Sequence, residues 1–447
     1  MIRRALVTAA LALSSGIALS AEVTHVATAG TEEHPVTEID LSLGFVGTQE
    51  NAEITREQFQ PAGGLIQASQ LGYSRTTLVA PLRAAIGIWH NLELHVSIPI
   101  VIEDNQTWDY SSEVKQANAQ NAITTTQTPL TCPDGPYSTD GKCHGQDGSL
   151  AGYVPPPIAK ALPETSYRGG FSGGNIPIGN VTFGAAWAAL SEEDEDTDPT
   201  WVIAFDYTAP TAPVMNPTAV SYTAGPSGPA TAIGDGFHHF QPWTALSKRH
   251  GILDPYIEVY ADIPRASGSV YNNCSSPYPG TTQLRDNCNT GPWTNYATEA
   301  QPVYIGGFWF GSEFIAFEDV PKQQKVSLDL RFLTEYHSEA RTYTELTDLL
   351  QALTYQQDFA RLGGSMNLYL RASRSFQLVL GAALAHDTNH WLTMENLGQP
   401  TSGQSQITVR SPQQNPNFDF RWDNPGDRFM LVNSLIMTFN GALQFSF

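Results

Sequence analysis

The sequence predicts an all-β fold: a transmembrane antiparallel up-and-down β-barrel of about 12 strands, with short periplasmic turns and long extracellular loops. Three observations support this prediction. Apolar and polar residues alternate along many segments, short and long connections between those segments also alternate, and the chain opens with an export signal. We expect the barrel to be closed, because an open sheet in hydrocarbon leaves edge N–H and C=O groups unpaired.

The last segment of the chain shows the alternation over the greatest length. Every second residue from Phe429 to Phe447 is apolar apart from Asn433 and Gly441, and the residues between them are mostly polar. Such a strand is too long for an ordinary globular sheet and suits a tilted strand that crosses a bilayer. A terminal aromatic residue on this strand is typical of bacterial outer-membrane barrels. The alternative, an edge strand of a soluble sandwich, would leave an apolar edge open to aggregation.

Eleven earlier segments have the same alternation. They predict strands at residues 36–47, 75–88, 91–102, 179–190, 201–209, 236–247, 253–264, 303–317, 325–337, 361–372 and 375–386. The inward and outward faces of 236–247 and 303–317 are ambiguous, and Pro242 predicts a bulge or a lost ladder bond in the first of these. Leucines at helical spacing predict a short amphipathic loop helix near 344–358.

The first 21 residues have the features of a secretory signal peptide. Arg3 and Arg4 precede a run of small apolar residues, and Ala18 to Ala21 offer a cleavage site near position 20 or 21. No run of about eighteen uncharged apolar residues follows, so no helical membrane span is expected. We therefore predict that residues 22–447 form a single barrel domain in the outer membrane of a Gram-negative envelope.

Charge and cysteine content narrow the classes of partner. A formal net charge of -21 argues against nucleic acid as a partner. Four cysteines in an exported chain predict two disulfides with three connectivities, of which we favour Cys132–Cys143 and Cys274–Cys288 because each closes a short loop. No cofactor and no metal site are predicted. The acidic turn 192–198 lacks the spaced ligands of an EF-hand, which favours a solvated turn over a calcium site.

Outward aromatic residues form two expected belts at the membrane interfaces. The belt beside the short turns comprises Trp187, Trp201, Phe314, Phe376, Phe445 and Phe447. The belt beside the long loops comprises Phe45, Tyr207, Tyr336 and Phe429.

The inward face of the predicted strands carries charges of both signs. The candidate lumen-lining residues are Glu38, Asp40, Arg75, Arg83, Glu93, His95, Asp206, Glu258, Asp262, Asp329, Arg331, Glu335 and Arg371. Eight strands leave a filled barrel and sixteen or more a broad channel, so this strand number indicates a narrow pore or a binding lumen. Inner-face charges tune passage through a pore, and the alternative for each one is solvation of the lumen or ion pairing between strands.

Catalytic patterns are weak in this sequence. Glu258 and Asp262 lie about 13 Å apart along one strand face, which is too far for a paired-carboxylate glycosidase site. The chain shows no evident serine, histidine and aspartate set and no glycine-rich phosphate loop, so we predict that the protein is not an enzyme.

Parts of the chain resemble a known family. The hairpin from Ile86 to Pro99, the segment Gly179 to Gly184 and the segment Tyr207 to Thr211 are similar to the outer-membrane transporter family associated with the meta-cleavage pathway of phenol degradation. The resemblance covers about residues 75–265, and Ala212 stands where the family has glycine. It implies a barrel that passes small, often aromatic or hydrophobic molecules, and it supplies no catalytic residues.

The expected function is therefore that of an outer-membrane channel or uptake protein for small molecules. The alternative is a plugged barrel that acts as a surface binding, adhesion or structural protein through its long loops. Expected partners are the lipid bilayer, the barrel-assembly machinery and a small-molecule solute. A monomer is favoured, with the oligomeric state left open.

Overall fold

The computed structural model describes residues 21–29, 37–60, 64–116, 163–170, 176–192, 198–220, 232–275, 285, 287–399 and 412–447. Twelve antiparallel strands form a closed barrel. The first and last strands pair along most of their length, from Asp40 opposite Ser446 to Arg56 opposite Phe429, so the sheet has no free edge. This closure satisfies the backbone hydrogen bonds that a bilayer cannot satisfy.

The strands of the described chain are β1 (Ile39–Phe59), β2 (Leu65–Trp89), β3 (Leu92–Tyr110), β4 (Thr165–Gly169), β5 (Thr182–Leu190), β6 (Thr200–Thr208), β7 (Phe237–Ser247), β8 (Leu253–Ala266), β9 (Ile305–Asp319), β10 (Gln324–His337), β11 (Ala340–Thr342), β12 (Thr354–Gln356), β13 (Phe359–Ser373), β14 (Phe376–Asp387), β15 (His390–Trp391) and β16 (Phe429–Ser446). Short β4 and β15 pair with the wall strands β3 and β16, and β11 pairs with β12 in a separate ribbon.

Helical structure in the described part of the chain is confined to short pieces. The α-helices are α1 (Ser112–Gln116), α2 (Asn295–Thr298) and α3 (Thr347–Leu350), and 3-10 turns lie at 22–24, 217–219, 273–275 and 320–322. Among the described residues, no helix has the length and apolar character needed to cross a membrane. The predicted loop helix is confirmed as α3, but it is a single turn that ends at Gln351, whose φ is 54°.

The twelve predicted wall strands are all present, and most bounds agree to within three residues. The exceptions are β1, β2 and β3, which contain 21, 25 and 19 residues. A bilayer needs strands of only about ten residues. The remainder of these strands projects beyond the membrane, where both faces are polar or covered by loops, and the alternation that marks a membrane strand is lost there.

The outer surface of the wall is apolar. Leu94, Leu330 and Phe439 are 43%, 54% and 61% exposed, whereas their strand neighbours Glu93 and Asp329 are buried. Trp187, Trp201, Phe314, Phe445 and Phe447 are exposed at the short-turn rim, and Phe45 and Tyr336 at the other rim. Phe376 and Tyr207 are partly exposed. This apolar band with aromatic residues at both edges is the surface that a bilayer requires. The protein is an outer-membrane β-barrel.

The structure resolves the two faces of β7, which are ambiguous in the sequence. Phe237 and Trp243 on β7 point inward and are buried, while Leu246 points outward. The β7–β8 ladder pairs Phe240 with Ile263 and then Trp243 with Tyr260, and leaves the two positions between them unpaired. Pro242, which has no N–H to donate, lies in this break, so the predicted lost ladder bonds are confirmed.

One predicted outward residue is in fact buried. Phe429 is 0% exposed, as is Leu431, although both share the parity of the outward residues below them on β16. Asn433 adopts a left-handed φ of 53°, and the pairing of β1 with β16 slips by one residue there. An inserted residue of this kind exchanges the two faces of a strand, so Phe429 leaves the lipid surface and packs inside the extracellular part.

We predict that Leu330→Arg weakens folding into phospholipid bilayers by about 2–4 kcal/mol, because it places a charge in the middle of the lipid-facing band. Denaturant titration of folding into vesicles measures this change. Leu330→Ala is the matched control and should cost less. An equal loss for the two variants would contradict a lipid-facing position.

Candidate functional site

The barrel lumen is closed near the short-turn rim by the N-terminal segment Ala21–Ala29, here named the lumen plug. Its first residues contact β9, β10, β13 and β14, and its last residues contact the turn between β2 and β3 on the opposite side of the barrel. The plug therefore crosses the full diameter of the lumen. In the sequence these residues are recognisable only as the expected start of the mature chain.

Glu22 anchors the first end of the plug. Its carboxylate accepts hydrogen bonds from Arg371 Nη2 and Gln377 Nε2, both at 3.2 Å, and lies 3.5 Å from Lys325 Nζ. Its backbone N–H donates to Glu313 Oε2 at 2.8 Å, and Glu313 pairs with Lys325 at 2.6 Å. The acidic and basic groups compensate one another, as buried charges require.

The other end of the plug docks on the β2–β3 turn. The backbone N–H of Ala27 donates to Glu93 Oε2 at 2.9 Å, and Asn91 N–H donates to Thr28 Oγ1 at 3.0 Å. Gly87 makes this contact sterically possible, since a Cβ atom there would lie 2.3 Å from the carbonyl oxygen of Thr28. The absence of a side chain at Gly87 therefore allows the plug to pack against β2 at this position.

One half of the lumen wall is apolar and aromatic. Val23 and Val26 of the plug belong to one buried cluster with residues of β5 to β10, namely Ala186, Ala188, Val202, Ala204, Trp243, Ala245, Tyr256, Tyr260, Ile305, Trp309 and Leu333. Inward aromatic rings on these strands give the lumen an apolar side with hydroxyl and indole donors. The sequence predicts a wet lumen of mixed charge, and this apolar surface is not apparent from it.

Polar groups join the aromatic rings of β8 to acids on β10. Tyr256 donates its hydroxyl to Asp329 Oδ1 at 2.7 Å, and Arg331 pairs with the same carboxylate and donates to Tyr369 at 2.8 Å. The Tyr260 hydroxyl likewise donates to the carboxylate of Glu335. Each ring is thus held in one orientation by an acid on β10, which is separated from β8 by β9.

A second network begins at Arg83 on β2 and ends at the aromatic residue Trp243 on β7. Arg83 pairs with Glu93 at 2.6 Å, and His95 bridges Glu93 and Asp206 with distances of 2.8 and 2.7 Å. The indole of Trp243 donates to the other oxygen of Asp206 at 3.1 Å. These contacts link β2, β3, β6 and β7 around the lumen.

The structure places every predicted lumen residue in a buried or partly buried position. Beyond the two networks, Arg75 pairs with Asp104 at 3.1 Å and Asp262 with His239 at 2.9 Å. Arg371 contacts Glu22 of the plug, and Glu258 is buried on β8. Most of these groups therefore form ion pairs or hydrogen bonds with other side chains. Their effect on the passage of solutes stays a prediction.

The extracellular end of the barrel is covered by a folded cap, which comprises the outer ends of β1–β3 and β16, α1, β4 and residues 340–357, 388–399 and 412–428. Its buried apolar core is formed by Ile54, Leu71, Tyr73, Trp108, Tyr110, Val114, Leu346, Leu349, Leu350, Leu392, Trp422, Phe429 and Leu431. The leucines at helical spacing therefore pack into a core around α3. The Trp108 indole donates to the carbonyl oxygen of Glu345 at 3.0 Å.

Buried ion pairs reinforce the cap. Arg56, which is 0% exposed, pairs with Asp427 at 3.2 Å and lies over the ring of Phe429. Arg168 pairs with Asp348 on α3, and Arg341 pairs with Glu395. Such pairs have a defined geometry and are costly to break singly. The cap is a folded unit with its own core.

The disulfide Cys274–Cys288 is present as predicted and closes a loop of this extracellular part. Cys132 and Cys143 lie outside the described residues. So does most of the acidic turn, although Glu192 at its start is described and pairs with Lys248 at 2.9 Å.

The chain matches no protein-family profile and no curated protein. An outer-membrane channel from Pseudomonas putida F1 aligns with 91% of this chain and 95% of its own, at 11% identity and a TM-score of 0.38. A Pseudomonas aeruginosa FadL homologue covers 92% and 90%, at 8% identity and 0.33. The deltaS2 mutant of the TodX monoaromatic hydrocarbon channel covers 92% and 90%, at 7% identity and 0.30. Likenesses this low assign no solute, and the resemblance to the phenol-pathway transporters stays a prediction.

We predict that Gly87→Ala displaces the lumen plug, since the new methyl group would overlap the backbone of Thr28. A thiol-reactive reagent added from the periplasmic side should then label a Val23→Cys reporter faster than in the parent barrel. Gly47→Ala is the matched control, because its Cβ would meet only ordinary contacts at 3.8 Å or more. Unchanged labelling in Gly87→Ala would contradict the packing of Thr28 against Gly87.

The cap should loosen as pH rises. Burial, followed by the nearby Glu50 carboxylate, raises the pKa of Glu345 from its ordinary value of 4.5 to about 8. The folded cap then holds a proton that the unfolded chain releases, so its stability falls between those two pH values. Burial raises the pKa of Asp423 as well, which adds to the same trend.

Limited proteolysis of the cap between pH 5 and pH 8 would measure this trend, and Glu345→Gln should make the dependence shallower. The exposed Glu339→Gln is the control and should keep the parent's slope. A slope that is the same in all three proteins would contradict a protonated Glu345.

Proposed function

We propose that the protein is a gated outer-membrane channel for small molecules and that the lumen plug is its periplasmic gate. The proposal rests on the way in which the lumen is closed at the periplasmic end. The lumen is filled at that end by a segment that is not a strand of the wall. With signal cleavage near position 20 or 21, as the sequence predicts, this segment is the free end of the mature chain.

The contacts of the plug support reversible release. It is held by backbone and side-chain hydrogen bonds at its two ends and by two valine side chains between them. A typical hydrogen bond contributes about 1 kcal/mol net, and one to a charged group about 1.5–3 kcal/mol. Leaving the lumen requires no break in the barrel ladder, which stays closed through β1 and β16.

The lumen chemistry supports a class of solute. Trp243, Tyr256, Tyr260 and Trp309 supply aromatic surface, and the Arg331 and Glu93 networks supply charge next to these rings. Such a wall suits a small molecule with an apolar or aromatic body and a polar group, because apolar surface binds the body while a few placed polar groups orient it. The phenol-pathway resemblance implies the same class.

Surface binding is the second candidate function. It is favoured by the cap, which carries a buried core and ion pairs at the cell exterior, and by the adjoining loop that the disulfide Cys274–Cys288 closes. A barrel that serves only to display this cap would need no movable segment in its lumen.

The pair of Thr24→Cys and Ser247→Cys tests the gate. The two hydroxyl oxygens lie 2.8 Å apart, so the cysteines are positioned to form a disulfide between the plug and β7. In planar bilayers we expect the oxidised double variant to show fewer and smaller conducting events than the parent, and reduction to restore them.

Each single-cysteine variant and the parent, treated with the same reductant, control for effects on the native disulfides. A deletion of residues 22–29 should raise conductance. If the deletion and the reduced double variant both remain closed, the plug is not the gate and the plugged surface-binding alternative is favoured.

A further inference from the structure

Three metal-ligating side chains meet where the lumen plug returns to the wall. His25 lies on the plug, Glu38 precedes β1 and Asp40 lies on β1. One donor atom from each lies within 4.8 Å of the other two, and His25 Nε2 is 4.0 Å from Asp40 Oδ2. The side chains of His25 and Asp40 are only 6% and 13% exposed, and Glu38 is buried.

The electrostatics of this cluster favour a cation. Two carboxylates are enclosed together, and Asp40 Oδ1 is buried and makes no hydrogen bond to any described residue. Arg83 and Arg371 attract Asp40 electrostatically, but each is paired with another carboxylate. Arg83 is paired with Glu93, and Arg371 is paired with Glu22. Arg374 also attracts Glu38. The donor atoms themselves face one another across the space between plug and wall.

We propose that His25, Glu38 and Asp40 form a binding site for a divalent cation of the zinc class, which latches the lumen plug to β1. Zinc binds imidazole nitrogen and carboxylate oxygen at about 2.0–2.2 Å, which sets tetrahedral ligand separations of about 3.4 Å. The present separations require a contraction of about 0.6 Å between His25 and Asp40 and of at most about 1.4 Å for any pair, within reach of side-chain rotation. Water completes the coordination.

The donor set selects among cations. An imidazole ligand suits zinc and related transition metals, whereas calcium and magnesium take oxygen ligands. The sequence predicts no metal site, because these three residues follow no local spacing motif. Glu38 and Asp40 share one strand face, and His25 lies beside them only because the plug crosses the lumen.

His25 lies on the plug, whereas Glu38 and Asp40 lie at β1, so a bound cation would stabilise the closed state. A ligand that binds one conformation more tightly than another shifts the population toward it. This regulatory part rests on the proposed channel function, whereas the binding part does not.

Binding is tested on the full-length mature barrel in detergent, with zinc chloride as the probe and calorimetry and metal analysis as readouts. We expect one zinc per barrel, and affinity lower by about tenfold or more in His25→Ala and in Asp40→Asn. His250→Ala, which removes an exposed imidazole from the same rim, is the matched control and should bind as the parent does. Equal binding by parent and His25→Ala would overturn the site, as would no binding by the parent.

The latch is tested with a spin label on a Val23→Cys variant. Zinc should slow the label in the parent background and leave it unchanged when His25 is replaced by alanine, and in bilayers zinc should reduce conducting events, with a chelator restoring them. Zinc that binds without slowing the label would overturn the latch. A barrel that never conducts, yet whose label is slowed by zinc, would contradict the channel function and support the metal site.

Discussion

The structure depends on the pairing of β1 with β16. In hydrocarbon each unpaired backbone group costs several kcal/mol, so the two ends of the sheet must meet and the side chains must separate into a lipid face and a lumen face. The alternation of the whole chain follows from this closure. Leu43 opposite Leu443 and Asp40 opposite Ser446 show both faces at the seam itself.

Closure also determines what the inside can hold. Inward charges are shielded from bulk water and are stable only when compensated, which explains why Arg83, Glu93, His95 and Asp206 form one chain of contacts. The plug takes part in this charge compensation through Glu22, which pairs with Lys325 and Arg371. Its docking therefore depends on wall charges that lie on strands distant in sequence.

The sequence predicts what a residue's own neighbours determine. Strand positions, closure and the Cys274–Cys288 disulfide follow from alternation and from loop composition. The reversal at Asn433 is missed because one left-handed residue changes the face without changing the composition. The outer ends of β1–β3, the seat of the plug at Gly87 and the aromatic half of the lumen depend on contacts between distant segments, which leave no periodic signal.

The two closures of the lumen differ in the physics that holds them. The cap has a core that includes Trp422, Leu346 and Leu350, and burying each such side chain contributes about 1.5–3 kcal/mol. Opening it requires loss of that core together with buried ion pairs such as Arg56 with Asp427. The plug buries Val23 and Val26, and its Glu22 forms a buried ion-pair cluster with Lys325 and Arg371. Among the described residues the plug has no core of its own, so the proposed movement costs less at the periplasmic end, while the cap stays folded at the opposite end of the lumen.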